Sequence, residues 1–415
     1  MDFDYLPKKS IINKINVRNL FILSPVFLSI IFFNRYIFAE SNLPYFVLIV
    51  VLSLILRVRF RLKKNMILNS FVISMIIFIM YSIFRIESNL FIDVSNNTKN
   101  NFYKFYHDII SLNIYLFLFV LGSILSFNKQ KLSQIIWLLI SVYVIMYVAK
   151  SLFSLGAIQS GAHLGAGDVL ISLMPYMLLG LKDYKDRQKY ANIILFILFV
   201  FLILIGARIA SLSIIIMILM INTWPYVTRN IFIYNLVFFF ILVSIGLLYL
   251  VYIGFMDHSG EALVSGSNIG ALQKSTSTRL AIWVHLIALI QENIFWGYGS
   301  LNSTIEVSPV SYLSFEMNRD NLSSHSLYVE LLYRLGIVGV FLFLSIMYSL
   351  WMLFWKSINL WDIRIAGSLI IVTLFYASSS VSLIFAVLEL YWGFVWLFFG
   401  IAFGAVLRTK DTFRV

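Results

Sequence analysis

Three chain-distant residues have the side chains for group-transfer chemistry in a sequence where charged groups are scarce. Arg208 lies in Gly206-Ala207-Arg208, a short break in the apolar stretch 190–223. Arg279 follows Ser275, Thr276, Ser277 and Thr278 at the start of an amphipathic segment. His325 precedes Ser326, where the chain turns apolar again. A guanidinium offers a planar fork of donors that matches phosphate or diphosphate oxygens. A helix starting near Arg279, capped by the hydroxyls before it, would add its first backbone amides to an anion site. Of the three, only the imidazole can take a proton near neutral pH. Each also has a plainer role: arginines at membrane helix ends snorkel to headgroups, and a loop histidine can cap or bond the backbone. Glu330 and Arg334, spaced i,i+4, most simply form a structural ion pair, with a substrate contact as the second reading. His107, His163, His258 and His285 show no metal-ligand spacing with one another or with carboxylates, so neither a metal nor another cofactor is expected.

The elements that must position these groups follow from composition. The 415 residues are 61% hydrophobic and only 12% charged, with a net charge of +12 and mean hydropathy of +0.91. A soluble domain carries about 25% charged residues, so too little polar surface remains to cover a water-facing body. The chain reads as an all-α polytopic membrane protein; its 38 Phe and abundant Ile lack the alternation of a β-barrel. With no cysteine, disulfides, thiolate zinc sites and cysteine nucleophiles are excluded. The first 18 residues are polar and the next apolar run lacks a small-residue cleavage site, so no cleavable signal peptide is expected.

Apolar runs near the length of a bilayer crossing predict about 12 transmembrane helices: 19–34, 43–57, 66–85, 109–127, 134–154, 168–181, 190–206, 208–223, 231–254, 327–354, 365–380 and 384–407. Of the 31 lysines and arginines, 21 fall on the side of the termini and eight on the other, so the positive-inside rule makes both termini cytoplasmic. The stretch 190–223 would span roughly 50 Å as one helix, far more than a bilayer core, so it reads as a hairpin with Arg208 in its turn. An arginine that shallow in the outer leaflet calls for an anionic partner. Two long external loops, about 86–108 and 255–325, contrast with short internal ones. The second is the large loop between helices 9 and 10, and it divides the chain into a bundle at 1–254, the loop at 255–325, and helices 10 to 12 at 326–415. In it, Thr278 to Gln291 predicts a surface helix turning Leu280, Ile282, Trp283, Leu286 and Ile287 toward lipid or the bundle. Gly297 and Gly299 with Trp296 and Tyr298 read as the turn that follows it. The segment from Ser326 to Lys356 is too long for one perpendicular crossing, so it should start outside the bilayer or bend near Gly336 and Gly339.

Taken in order, Gly206-Ala207-Arg208-Ile209-Ala210-Ser211, Ser277-Thr278-Arg279-Leu280-Ala281-Ile282-Trp283, Asn293-Ile294-Phe295-Trp296-Gly297-Tyr298-Gly299 and Ser324-His325-Ser326-Leu327-Tyr328 leading to Leu335-Gly336-Ile337-Val338-Gly339 resemble the O-antigen ligase and O-antigen polymerase superfamily of bacterial envelopes. The motif resemblance covers about 205–340; the twelve-span layout with a large periplasmic loop before the tenth span extends it over the chain. The family often has Asn after the histidine, where this chain has Ser326, and an Asn-Pro-like element before the sixth span, where this chain has Gly165-Ala166-Gly167-Asp168. The resemblance implies a GT-C type, metal-independent, inverting glycosyltransferase of the bacterial inner membrane. Its donor would be an undecaprenyl-diphosphate-linked oligosaccharide, bound at the periplasmic face. Carried over by residue, Arg208 and Arg279 hold the diphosphate leaving group and His325 is the general base on the acceptor hydroxyl. Glu330, Arg334, Tyr298 and Tyr328 are candidate substrate contacts; the tyrosines could stack on sugars, with interfacial packing as the alternative.

The acceptor separates two activities. A polymerase extends a lipid-linked glycan on another repeat unit, whereas a ligase transfers the glycan to lipid A-core. The Ile, Phe and Asn richness leans toward polymerase, for which a chain-length regulator protein is a further candidate partner; no nucleic acid is expected. A lipid-linked oligosaccharide flippase or another transporter would instead place ionisable groups near the bilayer midplane. A scaffold would need no arginine and histidine constellation.

Overall fold

The computed structural model describes residues 162–264, 326–355, 357–378 and 390–412, with most of 70–82, 115–126 and 283–299. The spans expected at 19–34, 43–57 and 134–154 lie outside the described residues, as do Arg279 and His325. The described residues are mostly helix, joined by turns and short irregular segments, with no strand among them, and belong to the compact unit Leu62–Val415.

Seven long helices carry the architecture: α1 (Ala162–Leu179), α2 (Arg187–Leu204), α3 (Arg208–Val227), α4 (Ile231–Val264), α5 (Leu327–Trp355), α6 (Trp361–Tyr376) and α7 (Leu390–Thr412). Among them α2, α3 and α5 are long and apolar enough to cross a membrane; Ile73–Ser82, Gly167–Leu179, Ile231–Leu247 and Trp392–Arg408 are shorter apolar helices. The protein is therefore a helical membrane protein.

The hairpin expected at 190–223 is present. Gly206 adopts φ 76°, and the amides of Gly206 and Ala207 donate to the carbonyls of Ile203 at 2.9 Å and Leu202 at 2.9 Å. This is a Schellman closure, with glycine at the left-handed position that a Cβ would disfavour. It ends α2 and releases the chain directly into α3 at Arg208. Inside lipid, helix pairing relies on packing and interhelical hydrogen bonds more than on the hydrophobic effect. The α2–α3 pair shows this: Asn192 and Asn222 bond each other at 3.0 and 3.1 Å, and Gln188 donates to Asn222 at 2.8 Å. Elsewhere on α2 the apolar side chains Phe196, Ile197 and Leu204 are exposed to the lipid phase.

At the centre, α6 buries nearly its whole circumference and packs against α1, α3, α4, α5 and α7. Trp224 of α3, Tyr234 of α4 and Trp351 of α5 meet beside it, with Tyr234 stacked on Trp351 at 3.9 Å and donating to the Trp351 carbonyl at 2.7 Å. Phe71, Phe119 and Phe403 form a second aromatic contact, with centroids 5.2 to 5.7 Å apart, that ties the helical pieces at 70–82 and 115–123 to α7. One boundary differs from expectation. Helix α4 runs to Val264 instead of stopping near 254, so the start of the expected external loop continues the helix; the sequence from Ile231 to Val264 contains no proline to stop it.

Helix α5 breaks where expected. Gly336 has φ 65° and ψ −170°, which frees the carbonyls that the next turn would have bonded. In an apolar bundle each freed group must find a partner. Tyr298 and Gly299 donate their amides to the carbonyls of Tyr333 and Arg334, each at 2.7 Å, and Ile337 donates to the Ile294 carbonyl at 2.8 Å. The Tyr81 hydroxyl takes the Leu335 carbonyl at 2.8 Å. Backbone bonds thus dock the loop strip 293–299 on the break.

Candidate functional site

The two ends of the bundle are defined by what connects them. At one end lie Lys182, Arg187, Arg364 and the start of α6: Lys182 pairs with Asp362 at 2.7 Å, the Trp361 indole donates to the Leu178 carbonyl at 2.8 Å, and Arg364 bonds Gln188 at 2.9 Å and the Ile221 carbonyl. At the other end lie the starts of α1, α3 and α5 and the finish of α6.

Arg208 opens α3 at that second end. It is exposed, and its guanidinium has no bonded partner among the described residues. The turn beneath it is well ordered by bonding: besides the Schellman closure, the Ser211 amide and hydroxyl both donate to the Ala207 carbonyl at 2.9 Å. A guanidinium left open on such a turn, at the boundary of an apolar bundle, has its donors available to an anion.

His325 lies outside the described residues, but Ser326, which follows it, is placed. Ser326 is buried and caps α5, its hydroxyl accepting from the Val329 amide at 3.4 Å; serine serves this position as well as the asparagine of the resembling family. The next residue anchors the segment, since the Leu327 amide donates to the Ala377 carbonyl at 2.9 Å. The Tyr328 hydroxyl donates to the Leu374 carbonyl at 3.0 Å. The end of α6 therefore receives the start of α5 on one side. On its other side, the Tyr376 hydroxyl donates to Asp168 Oδ1 of α1 at 2.7 Å. A Cβ on the neighbouring Gly167 would lie 3.0 Å from the Tyr376 hydroxyl, 3.1 Å from the Ala210 Cβ and 3.8 Å from the Ala207 Cβ. Through these contacts the Arg208 turn and Ser326-Leu327 share one end of the bundle, with Tyr376 and Ala377 between them.

The amphipathic segment is described from Trp283 onward in part, and Arg279, Leu280 and Ile282 at its start lie outside the described residues. Leu286 is fully buried and forms a small core with Ile290, Val329 and Tyr333, with Trp283 and Leu289 packed against it. Its apolar face thus turns to the bundle, against the first turns of α5.

Glu330 and Arg334 are both buried and joined Nε to Oε1 at 2.8 Å, the i,i+4 pair expected from spacing. The pair braces the segment of α5 before its break. Tyr298 stacks on Tyr333 with centroids 5.3 Å apart and donates to Glu292 at 2.8 Å. Burial, reinforced by that carboxylate, pushes the Tyr298 phenol up to about 12, so it remains a hydrogen-bond donor across the physiological range. Tyr328 and Tyr298 both give their hydroxyls to protein partners.

Asp168 was not singled out as a site residue by sequence reasoning. It appears in the sequence only as the last residue of Gly165-Ala166-Gly167-Asp168, and the available signal was its position at the start of an apolar run.

Comparison with known proteins finds no match among curated sequences. Residues 193–344 match the family described as O-antigen ligase. That span takes in the hairpin, the Arg208 turn, the strip 293–299 and the break of α5. Over these residues the sequence is similar to the O-antigen ligase family.

Proposed function

We propose that the protein is a metal-independent, inverting glycosyltransferase of the bacterial inner membrane that polymerises surface polysaccharide from undecaprenyl-diphosphate-linked units at the periplasmic face, with both termini cytoplasmic. The observation that carries this reading is Arg208: an exposed, unpaired guanidinium on a rigid turn at one end of an apolar bundle, inside the matched domain. In this reading the acceptor hydroxyl attacks the anomeric carbon of the donor sugar while His325 takes its proton. The bond to the diphosphate breaks, and Arg208 and Arg279 hold the departing charge. Preorganised cations in a low-dielectric setting stabilise such charge without reorganisation as it develops. Glu330 and Arg334 support this constellation from within α5.

Transfer of the glycan to lipid A-core is the second reading, favoured by the ligase description of the matched family. Incubating the purified protein with a lipid-linked repeat unit alone separates the two. A ladder of longer lipid-linked products establishes the polymerase; product only after lipid A-core is added establishes the ligase. Vectorial movement of the lipid-linked unit without a new glycosidic bond would show a transporter and overturn both.

A further inference from the structure

Asp168 is a polar group at the Arg208 end that this mechanism leaves unused. It sits near the start of α1, partly exposed, and its Oδ1 accepts from the Tyr376 hydroxyl at 2.7 Å. Among the described residues, Oδ2 has no bonded partner. The carboxylate is also not neutralised there: the two ion pairs of the described residues are Lys182–Asp362 and Arg334–Glu330, so Arg208 is not its partner. The Tyr376 bond takes one of its two oxygens, and the partial exposure of the residue leaves the other open to a further donor.

Its place narrows the ligand. Gly167 packs against Ala207, which precedes Arg208, and Ala210, within the first turn of α3. A carboxylate at the same end of the bundle as a diphosphate site repels the diphosphate itself. What it attracts is a hydroxyl donor, and the sugar joined to the diphosphate brings hydroxyls to the same neighbourhood. Resting on the function proposed above, we propose that Asp168, held by Tyr376, is a glycan contact whose Oδ2 accepts a hydrogen bond from a hydroxyl of the sugar nearest the diphosphate. Tyr376 is a positioning residue: its phenol fixes the carboxylate and does not touch the sugar. The bond is charge-assisted and so stronger than a neutral one.

The test uses the full-length protein in detergent and two probes, undecaprenyl diphosphate bare and carrying one N-acetylglucosamine. Asp168→Ala is expected to weaken the sugar-bearing lipid about tenfold, the loss of one hydrogen bond to a charged group, while the bare lipid binds as well as before or better. Tyr376→Phe should produce a smaller loss with the same selectivity. Equal weakening of both lipids by Asp168→Ala, or no change in either, overturns the assignment. If Asp168→Ala does not fold, Tyr376→Phe carries the test, and an unchanged preference for the sugar-bearing lipid overturns it. Arg208→Ala separates this inference from its parent: it should weaken both lipids, and if it weakens neither, the diphosphate reading fails instead.

Discussion

The two ends of the bundle use the same residue type in opposite ways. Arg364, at the Lys182 end, spends its guanidinium on Gln188 and the Ile221 carbonyl and lies over the Trp361 ring at 5.5 Å. Arg208, at the other end, is exposed, and its guanidinium bonds nothing among the described residues. A cation that ties helices together must be satisfied by them, whereas one that awaits an anionic ligand must be left open. The difference also runs through the backbone. At the Lys182 end the helices close with ordinary turns and an ion pair; toward the Arg208 end a helix breaks at Gly336 and a loop strip repairs it.

The largest expected effect tests whether the break is rigid. Glu330→Ala would leave Arg334 charged and buried, at a cost of about 3–5 kcal/mol, read as a fall in thermal unfolding temperature in detergent; a Glu330→Gln, Arg334→Met double variant should recover much of it. A double variant as unstable as Glu330→Ala would show that the pair is not what braces α5.

Arg208→Ala is the sharpest test of the contrast between ends. Transfer activity should fall about 10²–10³-fold, the usual loss when one preorganised charge-stabilising donor is removed, while the unfolding temperature stays near that of the wild type because the side chain bonds nothing that holds the fold. Loss of stability in place of activity would make Arg208 a structural anchor.

Gly336→Ala should cost roughly 2–3 kcal/mol from left-handed strain and overpacking, since its Cβ would meet the Phe295 carbonyl oxygen. Undocking of 293–299, seen as new protease sensitivity or faster amide exchange there, is the matching readout. The smallest effect belongs to Arg364→Ala, which should lower stability by about 2 kcal/mol and leave activity per folded molecule unchanged. An activity loss beyond the folded fraction would erase the distinction between the two arginines.

The legible part of the fold was the part written in local pattern. The hairpin at 190–223 followed from an apolar stretch too long for one crossing, with glycine where a left-handed turn was needed. The bend at Gly336 and the turn at Gly297 and Gly299, both at positive φ, followed from the same logic. The i,i+4 spacing of Glu330 and Arg334 announced their ion pair. The polar run Asp257, His258, Ser259 and Gly260 reads as loop because these are weak helix formers, yet α4 continues through it to Val264, with no proline to stop it.

Hydropathy, glycine placement and residue type determined on their own that this is a helical membrane protein, where its hairpin turns and which cation opens α3, because each depends on a few neighbouring residues and the thickness of a bilayer. Only the tertiary structure decided that α6 ends between the starts of α1, α3 and α5, and hence that Asp168 of one helix is held by Tyr376 of another beside the Arg208 turn. Those residues are joined by 208 positions of sequence separation, and no local period encodes such a meeting. It is set by how long apolar faces pack together.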